Sequence, residues 1–176
     1  MKKLTNPVIL YLLLFILSLI YKSCCEECHK IIGNGNLIIM QYKNGRQDTI
    51  RNEFAIDWYL ERSFSRSCSH WDFIPSAQAT TCQQVYINKL KKETIELFCD
   101  REIIYQGQLI NAGSNILDRT DLSVEIDDSF GVVLFNFSTG FILKTEFVIG
   151  LHKFTVRAKT SDGIQFESSA STYLHI

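Results

Sequence analysis

Five consecutive residues, Cys25-Glu26-Glu27-Cys28-His29, fit C-x-x-C-H, the attachment sequence of a c-type haem. In such a site two thiols add to the porphyrin vinyl groups and the neighbouring imidazole becomes an axial iron ligand. Distal ligands would have to come from Met40, His70, His152 or His175. Strand-like sequence follows the motif at once and no helical cytochrome core is visible. The plainer reading is a tether in which Cys25 and Cys28 are paired or exposed. No cofactor is expected, and a tethered haem or redox protein using Cys25, Cys28 and His29 is the alternative.

Cys68, Cys82 and Cys99 are widely spaced, which in an exported chain reads as disulfide rather than zinc. A Cys68–Cys82 bond would close the proline-containing connection and contribute about 3 kcal/mol through loop closure. Cys82–Cys99 is the competing pair, and a zinc site from Cys68, His70 and Cys82 is disfavoured by an oxidising compartment. His70 and Trp71 are candidate ligand contacts, the indole stacking on a sugar or peptide ring, or else capping an open end of the fold. Asp118, Asp121, Glu125, Asp127 and Asp128 form an acidic cluster without the glycine and regular spacing of a calcium loop, so a solvated face is expected. Asn136-Phe137-Ser138 fits a glycosylation acceptor but falls in a predicted strand.

Catalytic signatures are missing. There is no Gly-x-Ser-x-Gly elbow, phosphate loop or His-Glu-x-x-His helix, and the four histidines are far apart in sequence. The reading is non-catalytic, with an extracellular hydrolase as a third and weaker alternative. A near-neutral balance of 18 basic and 19 acidic residues argues against a nucleic-acid partner.

The elements that position these residues begin with an export segment. Lys2 and Lys3 precede an apolar run from Val8 to Tyr21. As a helix it would span roughly 21 Å, short of the roughly 30 Å hydrocarbon core, and has the proportions of a secretory signal. An apolar run ending in Ser23-Cys24 resembles a bacterial lipobox, with Tyr21 and Lys22 departing from its usual aliphatic and small residues. Cys24 is therefore the lipidation candidate, a lipid such as palmitate holding the chain to the membrane without a span. Glu26-Glu27 resembles the acidic export tag of Bacteroidota surface lipoproteins. The expected destination is the cell envelope at the outer membrane, facing the periplasm or the outside. Residues 1–23 would be signal peptide, 24–36 a tether and 37–176 one domain. Removing the signal leaves 153 residues with 15 basic and 19 acidic side chains.

Past the tether the chain reads as short strands. Phe54, Ile56, Trp58 and Leu60 alternate with Ala55, Asp57 and Tyr59, which is period two. Residues 61–84 read as a long connection, and strands are expected near 37–42, 85–90, 94–99, 102–105, 132–137 and 141–149. The clearest hairpin runs from His152 to Lys159, turns at Ser161-Asp162-Gly163 and returns over Ile164 to His175. Nine or so strands with regular turn signals predict an all-β fold, a single antiparallel β-sandwich of Ig-like or related type.

The stretch Ser76-Ala77-Gln78-Ala79-Thr80-Thr81-Cys82, then Ile87-Asn88-Lys89-Leu90 and Asn111-Ala112-Gly113, resembles a Bacteroidota lipoprotein family of unknown function. The resemblance implies a secreted β-rich lipoprotein and carries no catalytic residues. Cys68, His70 and Trp71 have no counterpart in it. The expected function is a binding or accessory module of the cell envelope, partnered by the membrane through its lipid and by an unknown protein or glycan.

Overall fold

A computed structural model describes residues 26–41, 49–65, 83–128 and 131–176, with Tyr11, Leu12 and Phe15 of the apolar run. Those three are helical and exposed. No helix among the described residues is long and apolar enough to cross a membrane. The chain divides into two compact units, Met1–His29 with Phe64–Ile87, and Lys30–Ser63 with Asn88–Ile176. The stretch expected as a tether is strand from Glu26 onward, and the expected 37–176 domain is interrupted by 64–87.

In the smaller unit, the first residues of β1 (Glu26–Gln41) pair in parallel with β4 (Gln83–Tyr86), Cys28 opposite Val85 and His29 opposite Tyr86.

The larger unit is built by period-two burial. In β3 (Phe54–Ser65), Phe54, Ile56 and Trp58 are fully buried on one side. β9 (Val132–Phe137) buries Val133, Phe135 and Phe137 in the same sense. These two strands pair antiparallel, and β8 (Ser123–Asp127) adds antiparallel to β9. The order of neighbours in this unit is β1-β3-β9-β8. A second sheet runs β2-β12-β11-β5, from β2 (Thr49–Ile50), β5 (Glu96–Cys99), β11 (Gly150–Lys159) and β12 (Gln165–Leu174). Its pairs are antiparallel except β2 with β12, which is parallel.

The two sheets share one core. Phe54 and Phe137, directly opposite in register, stack at 4.2 Å between centroids, and Phe154 of the second sheet lies 6.1 and 5.9 Å from them. Sheet-on-sheet packing of this kind buries the inner residues of both layers, each large side chain contributing about 1.5–3 kcal/mol. The protein is all-β, as its alternation predicts.

Two local findings differ from the sequence reading. Residues 141–149 are not one strand. Ser138 caps a helical turn, Thr139–Ile142, by accepting from the Phe141 N–H, and the Thr145 hydroxyl donates to the Phe141 carbonyl where the turn ends. Burial of Phe141 against Tyr105 and Phe137 outweighs its strand propensity. A small hairpin, β6 (Ile103–Tyr105) with β7 (Gln108–Ile110), turns at Gln106 and Gly107, both at positive φ. That is the backbone a two-residue hairpin loop needs, supplied by Gln-Gly instead of Asn-Gly. β10 (Thr145–Phe147) joins it across β6.

One buried polar residue fastens the larger unit. Asn88 accepts from the Ile31 N–H at 2.8 Å and donates to the Ile31 carbonyl at 3.2 Å, so its amide pairs with β1 as a strand would. It also donates to Asp162 in the β11–β12 turn.

Candidate functional site

Of the residues singled out by spacing, Cys24, Cys25, Cys68, His70, Trp71 and Cys82 lie outside the described residues. Cys28 is buried and disulfide-bonded. His29 stacks on Tyr86 at 5.4 Å and meets the edge of Phe64 at 5.5 Å. Its Nε2 is buried without a partner, the kind of atom an axial ligand would use. The rest does not fit haem. Successive residues of an extended strand point to opposite sides, so Cys28 and His29 do not address one porphyrin.

Cys99, read as a disulfide candidate, is a free buried thiol. It sits on the inner face of β5, and its Sγ lies 3.4 Å from His152 Nδ1 of the adjacent β11. His152 Nε2 is 2.6 Å from the Val148 carbonyl. A carbonyl only accepts, so Nε2 carries the hydrogen and Nδ1 presents a lone pair to the thiol. Burial pushes the Cys99 thiol up to about 11 and holds His152 below the usual imidazole range. At neutral pH the two stay uncharged, the opposite of an activated thiolate nucleophile. Fifty-three residues separate the partners, and no local pattern announces the pair.

The acidic cluster divides. Asp121 pairs with Lys144 at 2.7 Å and accepts from the Tyr105 hydroxyl; these contacts, Lys144 first, hold its carboxyl below the usual range. Asp118 is exposed in a 3-10 turn. Glu125, Asp127 and Asp128 remain together beside the outward face of β9. Asn136, the glycosylation candidate, lies inside β9 with its Oδ1 buried.

The outward face of β8, β9 and β3 carries the more open site. Register places Glu125, Leu134 and Asp57 in one row, and Asp127, Val132 and Tyr59 in the next. Tyr59, Val132 and Leu134 with Glu125, Asp127 and Asp128 line an open groove of about 780 Å³. Its floor is apolar and its rim acidic. Arg62 donates to the Asp128 carbonyl beside Gly131, which places one guanidinium at the turn between β8 and β9.

Asp57 is the unusual member. It belongs to the outward side of β3 yet is only 7% exposed. Its Oδ2 accepts from the Tyr59 hydroxyl at 3.2 Å, while Oδ1 is buried without a partner. Burial raises its carboxyl above the usual range, partly offset by the Tyr59 bond. An unmade hydrogen bond of this sort costs about 1–3 kcal/mol. Alternation puts Asp57 on the side of β3 opposite Phe54, Ile56 and Trp58 and does not report that this side is covered.

No family model matches the chain, and no curated protein does. Among solved structures, the chain described as "BspA_C_mut" matches at 10% identity and TM-score 0.25, covering 78% of this chain and 46% of that one. The Streptococcus agalactiae AgI/II polypeptide BspA C-terminal domain matches at 11% identity and TM-score 0.25, covering 85% and 50%. The chain thus spans about half the length of these structures. A likeness this weak carries nothing about function.

Proposed function

We propose that this chain is a non-catalytic exported binding module, held to the cell envelope by a lipid on Cys24, and that its outer groove takes an extended basic segment of a partner protein. The carrying observation is the groove itself, an apolar floor of Val132 and Leu134 rimmed by Glu125, Asp127 and Asp128. An ammonium or guanidinium group would pair with that rim while its aliphatic stem lies on Val132 and Leu134. β8 has no strand on its far side among the described residues, so an extended segment has backbone groups to pair with. Charges on an edge strand also guard against aggregation. That role accounts for the charges but not for the apolar floor beside them.

Fluorescence anisotropy with a labelled alternating Lys-Val peptide tests the groove. The expected result is binding that weakens with salt, is absent for the Glu-Val peptide and falls at least tenfold in Glu125→Lys. Equal binding of both peptides would sink the reading. The anchor is tested separately, by incorporation of a clickable fatty acid into wild type and its loss in Cys24→Ala.

A further inference from the structure

We propose that Cys99, His152 and Asp100 form a binding site for a thiophilic divalent cation of the zinc class, separate from the groove. One Sγ, one imidazole nitrogen and one carboxylate oxygen lie within 4.8 Å of one another. The Sγ is 3.4 Å from His152 Nδ1 and 3.9 Å from Asp100 Oδ1. A tetrahedral ion with bonds of about 2.3 Å to sulfur and about 2.0 Å to nitrogen or oxygen sets its donor atoms roughly 3.5 Å apart. The two distances bracket that spacing, and all three donor atoms already lie within 4.8 Å of one another.

The surrounding contacts suit a ligand set. The Val148 carbonyl holds hydrogen on His152 Nε2 and leaves Nδ1 bare toward the sulfur, which is how outer partners orient a metal-binding imidazole. His152 stacks on Phe154 and meets Phe147 edge-on, fixing the ring plane. Asp100 Oδ1 also accepts from the Lys153 N–H at 2.8 Å, which holds the carboxylate in place. Asp100 is exposed while the other two are buried, so the fourth position opens toward water. This matches a three-ligand site with a solvent ligand.

Binding is a balanced exchange. The Cys99 S–H bond breaks, its proton leaves to solvent, the sulfur pair forms the bond to the metal, and no electron is transferred. The thiolate and Asp100 neutralise a divalent charge. Arg101, whose guanidinium lies beside Gly150, opposes it and sets a moderate affinity.

Cobalt(II) titration of the detergent-solubilised full chain tests the site. The expected result is one equivalent bound, with a sulfur-to-cobalt charge-transfer band and tetrahedral visible bands, both displaced by zinc. Cys99→Ala retains the other cysteines and loses the band; Asp100→Asn, a surface change that leaves the core intact, weakens binding at least fivefold. Should Cys99→Ala fail to fold by near-ultraviolet circular dichroism, the Asp100→Asn titration decides alone. A wild type with no charge-transfer band, a band that survives Cys99→Ala, or unchanged affinity in Asp100→Asn overturns the proposal.

Discussion

β3 and β9 present two faces made from alternate residues of the same strands, and the two faces meet different demands. Inward, Phe54, Ile56, Trp58, Phe135 and Phe137 are fully buried, and the one polar atom among them, Trp58 Nε1, donates to the Asn34 carbonyl at 2.5 Å. Outward, Asp57 and Asn136 each keep a buried oxygen without a partner, beside Tyr59 and Leu134. Folding accounts for the inner face completely. It does not account for the outer one, where an alanine or threonine would remove the penalty at Asp57. Unmet polar capacity on one face of a well-packed sheet calls for an explanation other than core packing.

Breaking the inner face has the largest effect. Trp58→Ala should cost about 3–5 kcal/mol in urea-induced unfolding, since it leaves a cavity and an unpaired carbonyl at Asn34. Asn88→Ala comes next, at about 1–3 kcal/mol, because the N–H and C=O of Ile31 both lose the amide that satisfies them. These two define a buried group that is satisfied.

Asp57→Asn sharpens the comparison from the other side. Its carboxyl titrates above the ordinary 3.8, so the folded protein holds a proton that the unfolded chain has lost between those values. The stabilising contribution of that proton is complete below 3.8 and is lost as pH rises through the raised folded value. Asp57→Asn should therefore be more stable than wild type at neutral pH, the difference vanishing below about 3.8. Melting temperatures across that range check it. The smallest effect is expected at Asp121→Asn, which breaks an exposed pair with Lys144 and lines no part of the groove. Neither unfolding nor peptide affinity should change measurably.

The strands were legible where burial is one-sided. β11, with Phe154, Val156 and Ala158 inward and Lys153, Arg157 and Lys159 outward, follows from alternation, and Gly163 at positive φ marks its turn. Period two shows which residues of β3 share a face and not whether that face is covered, so the burial of Asp57 does not follow from it. The Cys99–His152 contact was invisible for another reason. It depends on β5 pairing with β11, a long-range register that neither segment encodes alone. The helical turn at Thr139 carries one local signal, the Ser138 cap, in a stretch whose apolar residues favour strand.

A backbone-amide NMR titration with the alternating Lys-Val peptide locates the binding face residue by residue. Saturable shifts are expected at Glu125, Asp127, Val132, Leu134 and Tyr59, abolished by Glu125→Lys. A second surface offers the contrasting outcome: Val148, Ile149, Leu151 and Tyr173 are all exposed, with Leu151 opposite Tyr173 in register. Shifts confined to that apolar patch, or no shifts at all, would contradict the groove as the binding face.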